Sequence, residues 1–332
     1  MVARQSGVPA MMRRRTLLAA ALAAPATARA QGAWPDRLVR VVVPFTPGGT
    51  TDILARAMAS ELQEALGQPF VVENRGGAGG TLGSEVVARA APDGHTIMMG
   101  HIGTLAVNPW LYRNLSFDTV TSFQPIIQVA VVPNVLVVNP RKVPVQNVQE
   151  LVALARRQPG ALSYGSGGNG SAAHIAMVAF NVATGTRMEH VPYRGTGPMV
   201  TDLLAGTIDL TLTGGPAALP PVRAGQLRAL GVSSLTRLSS APDIPTIAEQ
   251  GVPGFDATQW YGLVAPAGTP RPIIDRLNAE CTRILRGDRL RPRLEAEGAD
   301  PTPGTPEQFR ELIVAERARW GELIRTANVR AD

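Results

Sequence analysis

The feature that most restricts the fold is a unit that occurs three times: an apolar stretch, a short run of small residues, then the start of a helix. It is found at 44–52 (PFTPGGTTD), 165–171 (GSGGNGS) and 194–198 (RGTGP). Apolar stretches of strand length alternating with helical periodicity specify βα units, and hence a parallel sheet covered by helices. Each such turn delivers the first residues of a helix. The N–H groups there have no intrahelical acceptor and carry a partial positive charge. Small residues let a ligand come close to them. One βα turn of this kind says little, but three at strand carboxyl ends favour a cleft for an anion such as a carboxylate.

The pattern extends along the chain. Residues 38–45 (LVRVVVPF) read as a strand covered on both faces, and 53–66 as a helix with Leu54, Met58, Leu62 and Leu66 on one stripe. Thr51 or Asp52 is the expected cap of that helix and Gly67 its stop. A strand at 70–73, a helix from the loop 76–83 through 90, and a strand at 96–100 follow. The apolar runs 126–132 and 135–138 are broken by Pro133-Asn134, as in a chain passing between two lobes. A second series then reads helix 148–157, strand 162–164, helix 172–184, strand 189–192, helix 199–205, strand 208–213. Residues 259–265 form another crossing strand, and amphipathic helices at 272–286, 289–297 and 306–327 finish the chain. The expectation is an α/β protein of two lobes, each a β-sheet flanked by helices. Lobe 1 comprises 31–133 plus 258–332 and lobe 2 comprises 134–257.

Residues 1–30 read as an export signal. Arg13-Arg14-Arg15 precede the apolar run 16–24, and Ala28-Arg29-Ala30 forms an A-x-A site, which predicts cleavage near Ala30/Gln31. Both a twin-arginine and a general secretory route fit, and Met11 or Met12 is an alternative start. The segment holds five arginines and no acid, so the net charge of +6 falls to +1 without it. The sequence pI near 10.3 is therefore no nucleic-acid footprint. No later run of eighteen apolar residues exists, and a soluble mature protein is expected. Cys281 is the single cysteine, so no internal disulfide forms. It shares a helical stripe with Ile274, Leu277, Ile284 and Leu285 and reads as a buried structural thiol.

Enzymatic motifs are sparse. His95, His101, His174 and His190 have no metal-ligand spacing, and no Gly-x-Ser-x-Gly elbow or phosphate-binding P-loop is present. No metal, no cofactor and no catalytic residue is expected. One motif competes: Gly165-x-Gly167-x-x-Gly170, with Glu189 nineteen residues beyond, has the spacing of a dinucleotide turn and its ribose-binding acid. It supports an alternative, an NAD-dependent oxidoreductase. The strand before it is short, the motif lies mid-chain, and an exported protein has no evident supply of NAD.

The segments VVVPFTPGGTTDILAR, VENRGGAGGTLGSEVVARAAPDGHTI, SYGSGGNGSAAH, VPYRGTGPMVTDLLAGTIDL and WYGLVAPAGTP, in this order behind an export signal, closely resemble the tripartite tricarboxylate transporter receptor family, the Bug proteins. The resemblance covers essentially the whole mature chain. It implies a two-lobed periplasmic-binding-protein fold (type II-like) with two crossing strands as hinge, and a periplasmic, monomeric solute-binding protein rather than an enzyme. Its ligand would be a small carboxylate held by main-chain amides. Its partners would be membrane permease subunits of a tripartite tricarboxylate-type transporter, or a sensor ectodomain, with no nucleic acid. Carried onto this chain, the first-lobe contacts are Phe45 as an apolar wall and Gly48, Gly49 and Thr50 as amide donors. The second-lobe contacts are Ser166, Gly167, Asn169, Gly170, Ser171, Gly195, Thr196 and Gly197, with Tyr193 shaping the floor. Thr104 and His174 are further polar candidates, and Asp52 is a helix cap rather than a contact. Many members carry an acid or amide where this chain has Thr213-Gly214; if that position meets the distal end of a ligand, this chain does not favour an amino acid or a second polar group there. Arg194 could pair with a second carboxylate.

Overall fold

In the computed structural model, β1 (Val39–Val43), β2 (Phe70–Asn74) and β3 (Thr96–His101) run parallel, connected by α1 (Thr50–Leu66) and α2 (Thr81–Ala88). The structure describes residues 1–3, 34–296 and 298–327. The predicted export signal and its cleavage point, apart from the first three residues, lie outside these. Residues 35–332 form one compact unit, and the fold is that of this unit. Val39, Val41, Val42 and Val43 are all buried, as a continuous apolar run with helices on both faces requires.

Helix α1 begins three residues earlier than its periodicity indicates. Gly49, not Thr51 or Asp52, is the N-cap, in extended conformation and with no side-chain cap. Asp52 instead folds back from inside the first turn. Its Oδ2 accepts from the Gly48 amide at 3.0 Å and from Arg56 Nε at 3.0 Å, and its Oδ1 accepts from Asn74 Nδ2 at 3.0 Å. The helix stops at Gly67, whose φ of 72° lies in the left-handed region that glycine tolerates.

A wide helical turn (Gly103–Val107) and α3 (Asn108–Leu111) lead to β4 (Phe123–Val132), and β5 (Asn134–Val138) follows after a single residue, Pro133. The chain then runs through α4 (Val148–Arg157), β6 (Ser163–Ser166), α5 (Ala172–Thr184), β7 (Glu189–Pro192), α6 (Thr196–Ala205), β8 (Leu210–Gly214), α7 (Gly215–Arg223) and β9 (Arg228–Val232). It returns in β10 (Gln259–Pro266), buried along its whole length, and ends in α8 (Arg271–Arg286), α9 (Arg291–Ala296), β11 (Asp300–Pro301) and α10 (Pro306–Ala327). Two sheets result. The six-stranded sheet has the order β11-β4-β10-β3-β1-β2 and the five-stranded sheet β7-β6-β8-β5-β9. The chain passes between them twice, at Pro133 and between β9 and β10.

Helix α7 and strand β9 have no counterpart in the sequence reading. Pro216, Pro220 and Pro221 all lie within α7, and proline in a helix interior removes a hydrogen bond and suppresses helical propensity. Helix α6 starts at Thr196 rather than 199, because Gly195 is its N-cap. Cys281 is buried in α8 with Ile274, Leu277, Ile284 and Leu285, and burial pushes its thiol pKa up, as suits an inert thiol. Each such apolar side chain contributes about 1.5–3 kcal/mol. No helix among the described residues is long and apolar enough to cross a membrane.

Candidate functional site

Strands β1, β6, β7 and β8 all end at one cleft between the two sheets, and each is followed by a helix start. Its inner chamber, of about 50 Å³, is lined by Thr46, Gly49, Thr50 and Thr51 at the start of α1, by Ser171, Ala172 and Ala173 at the start of α5, and by Gly195 and Thr196 at the start of α6. Thr213 and Gly214, entering α7, complete the side walls. First-turn amides have no carbonyl four residues back within their helix. Among the described residues, no backbone carbonyl accepts from the amides of Gly49, Thr50, Thr51, Ala172, Ala173, Gly195 or Thr196. Among the described residues, no Lys, Arg, Asp or Glu lines this chamber. The field inside it is set by helix termini, which favour negative charge.

The floor comes from His101 at the end of β3 and from Gln259 and Tyr261 of β10. His101 is buried, and desolvation pushes its pKa down to about 4, so it is neutral. Its Nδ1 accepts from the Thr104 amide at 3.2 Å, which puts the proton on Nε2. Its ring lies 4.7 Å from that of Phe45 and 5.9 Å, edge-on, from that of Tyr261. The Tyr261 hydroxyl donates to Gln259 Oε1, and Gln259 Nε2 donates to Asn134 Oδ1. Asn134 Nδ2 donates in turn to Ala257 O at 2.7 Å. This polar chain ties the chamber floor to both passages between the sheets. Burial pushes the Tyr261 pKa up, partly offset by a hydrogen bond with Thr50, so Tyr261 is a neutral donor.

A larger outer chamber, of about 550 Å³, opens beside the inner one. It is bounded by residues 76–80 and Tyr112 on one side and by 167–169 and 193–195 on the other. Phe45, Thr46, Gly167 and Gly195 line both chambers. The two sides meet at the rim: Thr46 Oγ1 donates to Arg194 O at 3.3 Å, and the Tyr112 hydroxyl to Asn169 O at 3.2 Å.

Of the residues proposed from sequence, Phe45, Gly49, Thr50, Gly167, Ser171, Gly195, Thr196 and Thr213 come together around the inner chamber, and Asn169 and Tyr193 line only the outer one. Tyr193 is thus a wall of the outer chamber rather than a floor. Its hydroxyl donates to Asp202 Oδ2 at 2.7 Å, and burial together with Asp202 pushes its pKa up to about 12.

Gly48, Thr104, Ser166, Gly170, His174 and Gly197 line neither chamber, each for a local reason. The Gly48 amide is engaged by Asp52. The Thr104 hydroxyl is fully buried, donating to His101 O at 3.0 Å and accepting from the His101 amide at 3.1 Å, so it holds His101 in place from behind. Ser166 Oγ is buried against His190 Nε2 at 2.6 Å and accepts from the Gly168 amide. The Gly170 amide donates to His174 Nδ1 at 3.1 Å, and the His174 ring stacks on His190 at 4.1 Å. A methyl group added at Gly197 would meet nothing within 4 Å.

Thr46, Thr51, His101, Ala172, Ala173, Gln259 and Tyr261 escaped the sequence reading. Ala172 and Ala173 follow from the helix-start argument if it is continued past the cap. The floor residues lie in strands whose neighbours only the sheet order reveals.

The dinucleotide alternative fails on register. In parallel β6 and β7, Ser163 pairs with Glu189 and Ser166 with Pro192. Glu189 therefore stands at the opposite end of the strands from the glycine turn, where a ribose-binding acid has nothing to hold.

The comparisons agree with this geometry. The model of the tripartite tricarboxylate transporter family receptor matches residues 54–329. BugT of Bordetella pertussis is 38% identical over 307 residues, covering 92% of this chain and 93% of BugT. The structure of R. palustris Rpa4515 with adipate is 40% identical with a TM-score of 0.86, covering 90% of this chain and 99% of that one. MatC (Rpa3494) from Rhodopseudomonas palustris with bound malate is 35% identical with a TM-score of 0.83, covering 88% and 100%. A two-sheet frame with a cleft at the strand ends, and relatives that share nearly the full length, place this chain in the tripartite tricarboxylate transporter receptor (Bug) family of solute-binding proteins.

Proposed function

We propose that this protein captures a small organic acid outside the cytoplasm and acts as a receptor without catalysis. The acid enters the interlobe cleft, and the protein hands it to the membrane permease subunits of a tripartite tricarboxylate-type transporter or presents it to a sensor ectodomain. The observation that carries this reading is the convergence of three helix starts from both sheets on a chamber without fixed charge. Amides at helix starts bind carboxylate through short, directional, charge-assisted hydrogen bonds. The relatives with adipate and with malate support the same ligand class. The contacts are the amides of Gly49, Thr50, Ala172, Ala173, Gly195 and Thr196, with Phe45, Ser171 and Thr213 as walls and Gly167 as the open face. The lobes move as 31–133 plus 258–332 against 134–257, as a monomer, and the mature chain begins near Gln31. No dinucleotide takes part.

The test is a thermal-shift screen of the mature protein against organic acids, amino acids and NADH, followed by calorimetry. A ligand at about 100 times its Kd stabilises by about 2.7 kcal/mol, a shift of several degrees. An organic acid that raises Tm and binds reversibly without turnover is the expected result. A response to NADH alone, or to no acid, overturns the reading.

A further inference from the structure

The loops before β6, β7, β8 and β9 and the loop after β5 gather at one edge of the five-stranded sheet. Register fixes this: Ser163 pairs with Glu189, Leu210 with both Tyr164 and Val138, and Val138 with Arg228. Because β6, β7 and β8 run from this edge to the cleft, it is the end of the sheet remote from the ligand. Of the nine Lys and Arg within residues 134–257, six lie here: Arg141 and Lys142 after β5, Arg156 and Arg157 at the end of α4, Arg187 before β7 and Arg228 at the start of β9. The acids nearby are Glu150, Glu189 and Asp209, three of the seven in that stretch. All six cations except Arg228 are exposed. Among the described residues, only Arg187 of the six takes an ion pair, with Glu189 at 3.5 Å. Elsewhere arginines such as Arg40, Arg56, Arg289 and Arg317 are paired with acids. The guanidinium groups of Arg141, Arg156 and Arg228 donate instead to neutral carbonyls, those of Leu204 at 3.3 Å, Thr184 at 3.0 Å and Val145 at 3.0 Å. These bonds hold the groups at the edge without neutralising them. Asp209 is engaged by the Ser163 amide at 2.8 Å and Glu150 by the Gln146 amide at 2.7 Å. In the sheet order β7-β6-β8-β5-β9 the cations run from Arg187 to Arg228, a span of about 20 Å at about 4.8 Å per strand.

We propose that this basic edge is a docking surface for an anionic lipid bilayer, on which the protein rests with its cleft facing the solution. A discrete anion meets only a few cations spread in this way, whereas a plane of negative headgroups meets every one that reaches it. Such attraction acts within a Debye length and needs no matched partner groups. Helix C-termini favour cations, which accounts for Arg141, Arg156 and Arg157 beside the ends of α6, α5 and α4. It does not account for Arg187 or Arg228, nor for the shortage of acids. The chain without residues 1–30 carries a net charge of only +1, so the edge is a local asymmetry, and docking by it is oriented. The inference goes beyond the receptor reading and does not depend on which acid the cleft holds.

The experiment is sedimentation of the protein beginning at Gln31, which removes the arginines of residues 1–30, with vesicles of phosphatidylcholine containing about one third phosphatidylglycerol and with phosphatidylcholine vesicles alone. Wild type should pellet with the anionic vesicles at about 20 mM salt, not with the neutral ones, and should dissociate by about 0.5 M. Each cation that reaches the surface contributes about fivefold. Lys142→Gln combined with Arg157→Gln and Arg187→Gln should therefore weaken binding about tenfold or more. Among the described residues none of these three side chains hydrogen-bonds a backbone group, so Tm should not change and carboxylate affinity should stay within about twofold. Arg286→Gln combined with Arg291→Gln and Arg293→Gln removes the same charge from exposed positions on α8 and α9 and should leave vesicle binding within about twofold. Absence of sedimentation with anionic vesicles overturns the inference, as do equal losses in the two triple variants. Binding to polyglutamate that the vesicles do not compete away marks an acidic polypeptide as the partner and overturns it too. Carboxylate binding, measured on the same preparations, decides the receptor reading separately.

Discussion

A methyl group added at Gly165 would lie 2.3 Å from Ile208 Cδ1 and 2.7 Å from Met199 Cγ, whereas one added at Gly167 would meet nothing closer than 3.6 Å, at Gly195 C and Thr196 N. Gly165 is therefore glycine because β6 packs closely under α6, whereas Gly167 lines both chambers with room for a side chain. Gly170 has a different reason: its φ is 77°, and a methyl group would lie 2.5 Å from Asn108 Oδ1. Gly167→Val should therefore weaken carboxylate binding about 30-fold or more, some 2 kcal/mol or above, with little change in Tm. Gly170→Val should lower Tm through backbone strain of about 1–3 kcal/mol and through the clash. Calorimetry beside thermal melting separates the two. Wild-type affinity in a normally folded Gly167→Val would show that the site lies elsewhere. The motif spacing identifies the loop from sequence alone. Which glycine faces the cleft and which faces protein depends on Ile208, Met199 and Asn108, all more than thirty residues from the glycine they touch.

Elements whose caps lie next to them in sequence are the ones the periodicity locates. Helix α4 runs over the predicted residues because Asn147 accepts from the Glu150 amide at 2.8 Å while Glu150 accepts from the Gln146 amide at 2.7 Å, a local N-terminal lock. Helix α1 differs, because its start is organised by Asp52, Arg56 and Asn74, the last contributed by β2. Burial alone would raise the Asp52 pKa. Hydrogen bonds from Arg56, the Gly48 amide and Asn74 outweigh burial and hold it below the usual 3.8. This depressed carboxylate contributes stability above the unfolded-state value, and loses it as pH falls through the folded one. Asp52→Asn should therefore cost about 1–3 kcal/mol at neutral pH, because an amide donor then faces other donors. The cost should shrink as pH falls below the ordinary 3.8 and the wild-type carboxylate protonates. Melting curves of both proteins from neutral to acid pH test this, and an unchanged difference across the range would exclude the ionised carboxylate as the cause. The same variant should weaken carboxylate binding, since Asp52 shapes the turn that presents Gly49.

His101, His174 and His190 are neutral at neutral pH, and together they give the whole molecule an acid-sensitive stability. Desolvation pushes His101 to about 4 and His190 to about 4. His174 is pushed to about 3, by desolvation first and by neighbouring His190 second. All three titrate near 6.5 in the unfolded chain. Between 6.5 and the folded values the unfolded chain therefore binds more protons, so stability is complete above about 6.5 and falls as pH drops. The slope is about 1.4 kcal/mol per pH unit for each histidine. Tm should be nearly flat from pH 7 to 8 and drop steeply between 6 and 4. His190→Gln should reduce that slope by roughly one histidine's share, again about 1.4 kcal/mol per unit. An undiminished slope in this variant would assign the acid sensitivity to other groups.

At the same scale, the alternation of apolar runs and helical periodicity determined the α/β class, the two successive βα series and the passage between them at Pro133. These depend on the period of burial along a chain, which is a local property. The turns that lead into the helices were legible for a related reason, since their small residues lie within a few positions of the amides they expose, although α1 and α6 begin three residues before their predicted starts. The chamber floor was not. His101, Gln259 and Tyr261 meet only because β10 enters the first sheet antiparallel between β3 and β4, more than 150 residues after β3. Nor could sequence separate Thr213, which lines the inner chamber, from Ser166, Thr104 and His174, whose polar atoms are engaged within the protein. A polar side chain binds ligand only if no buried protein group claims it first, and that competition is decided by neighbours brought together in three dimensions.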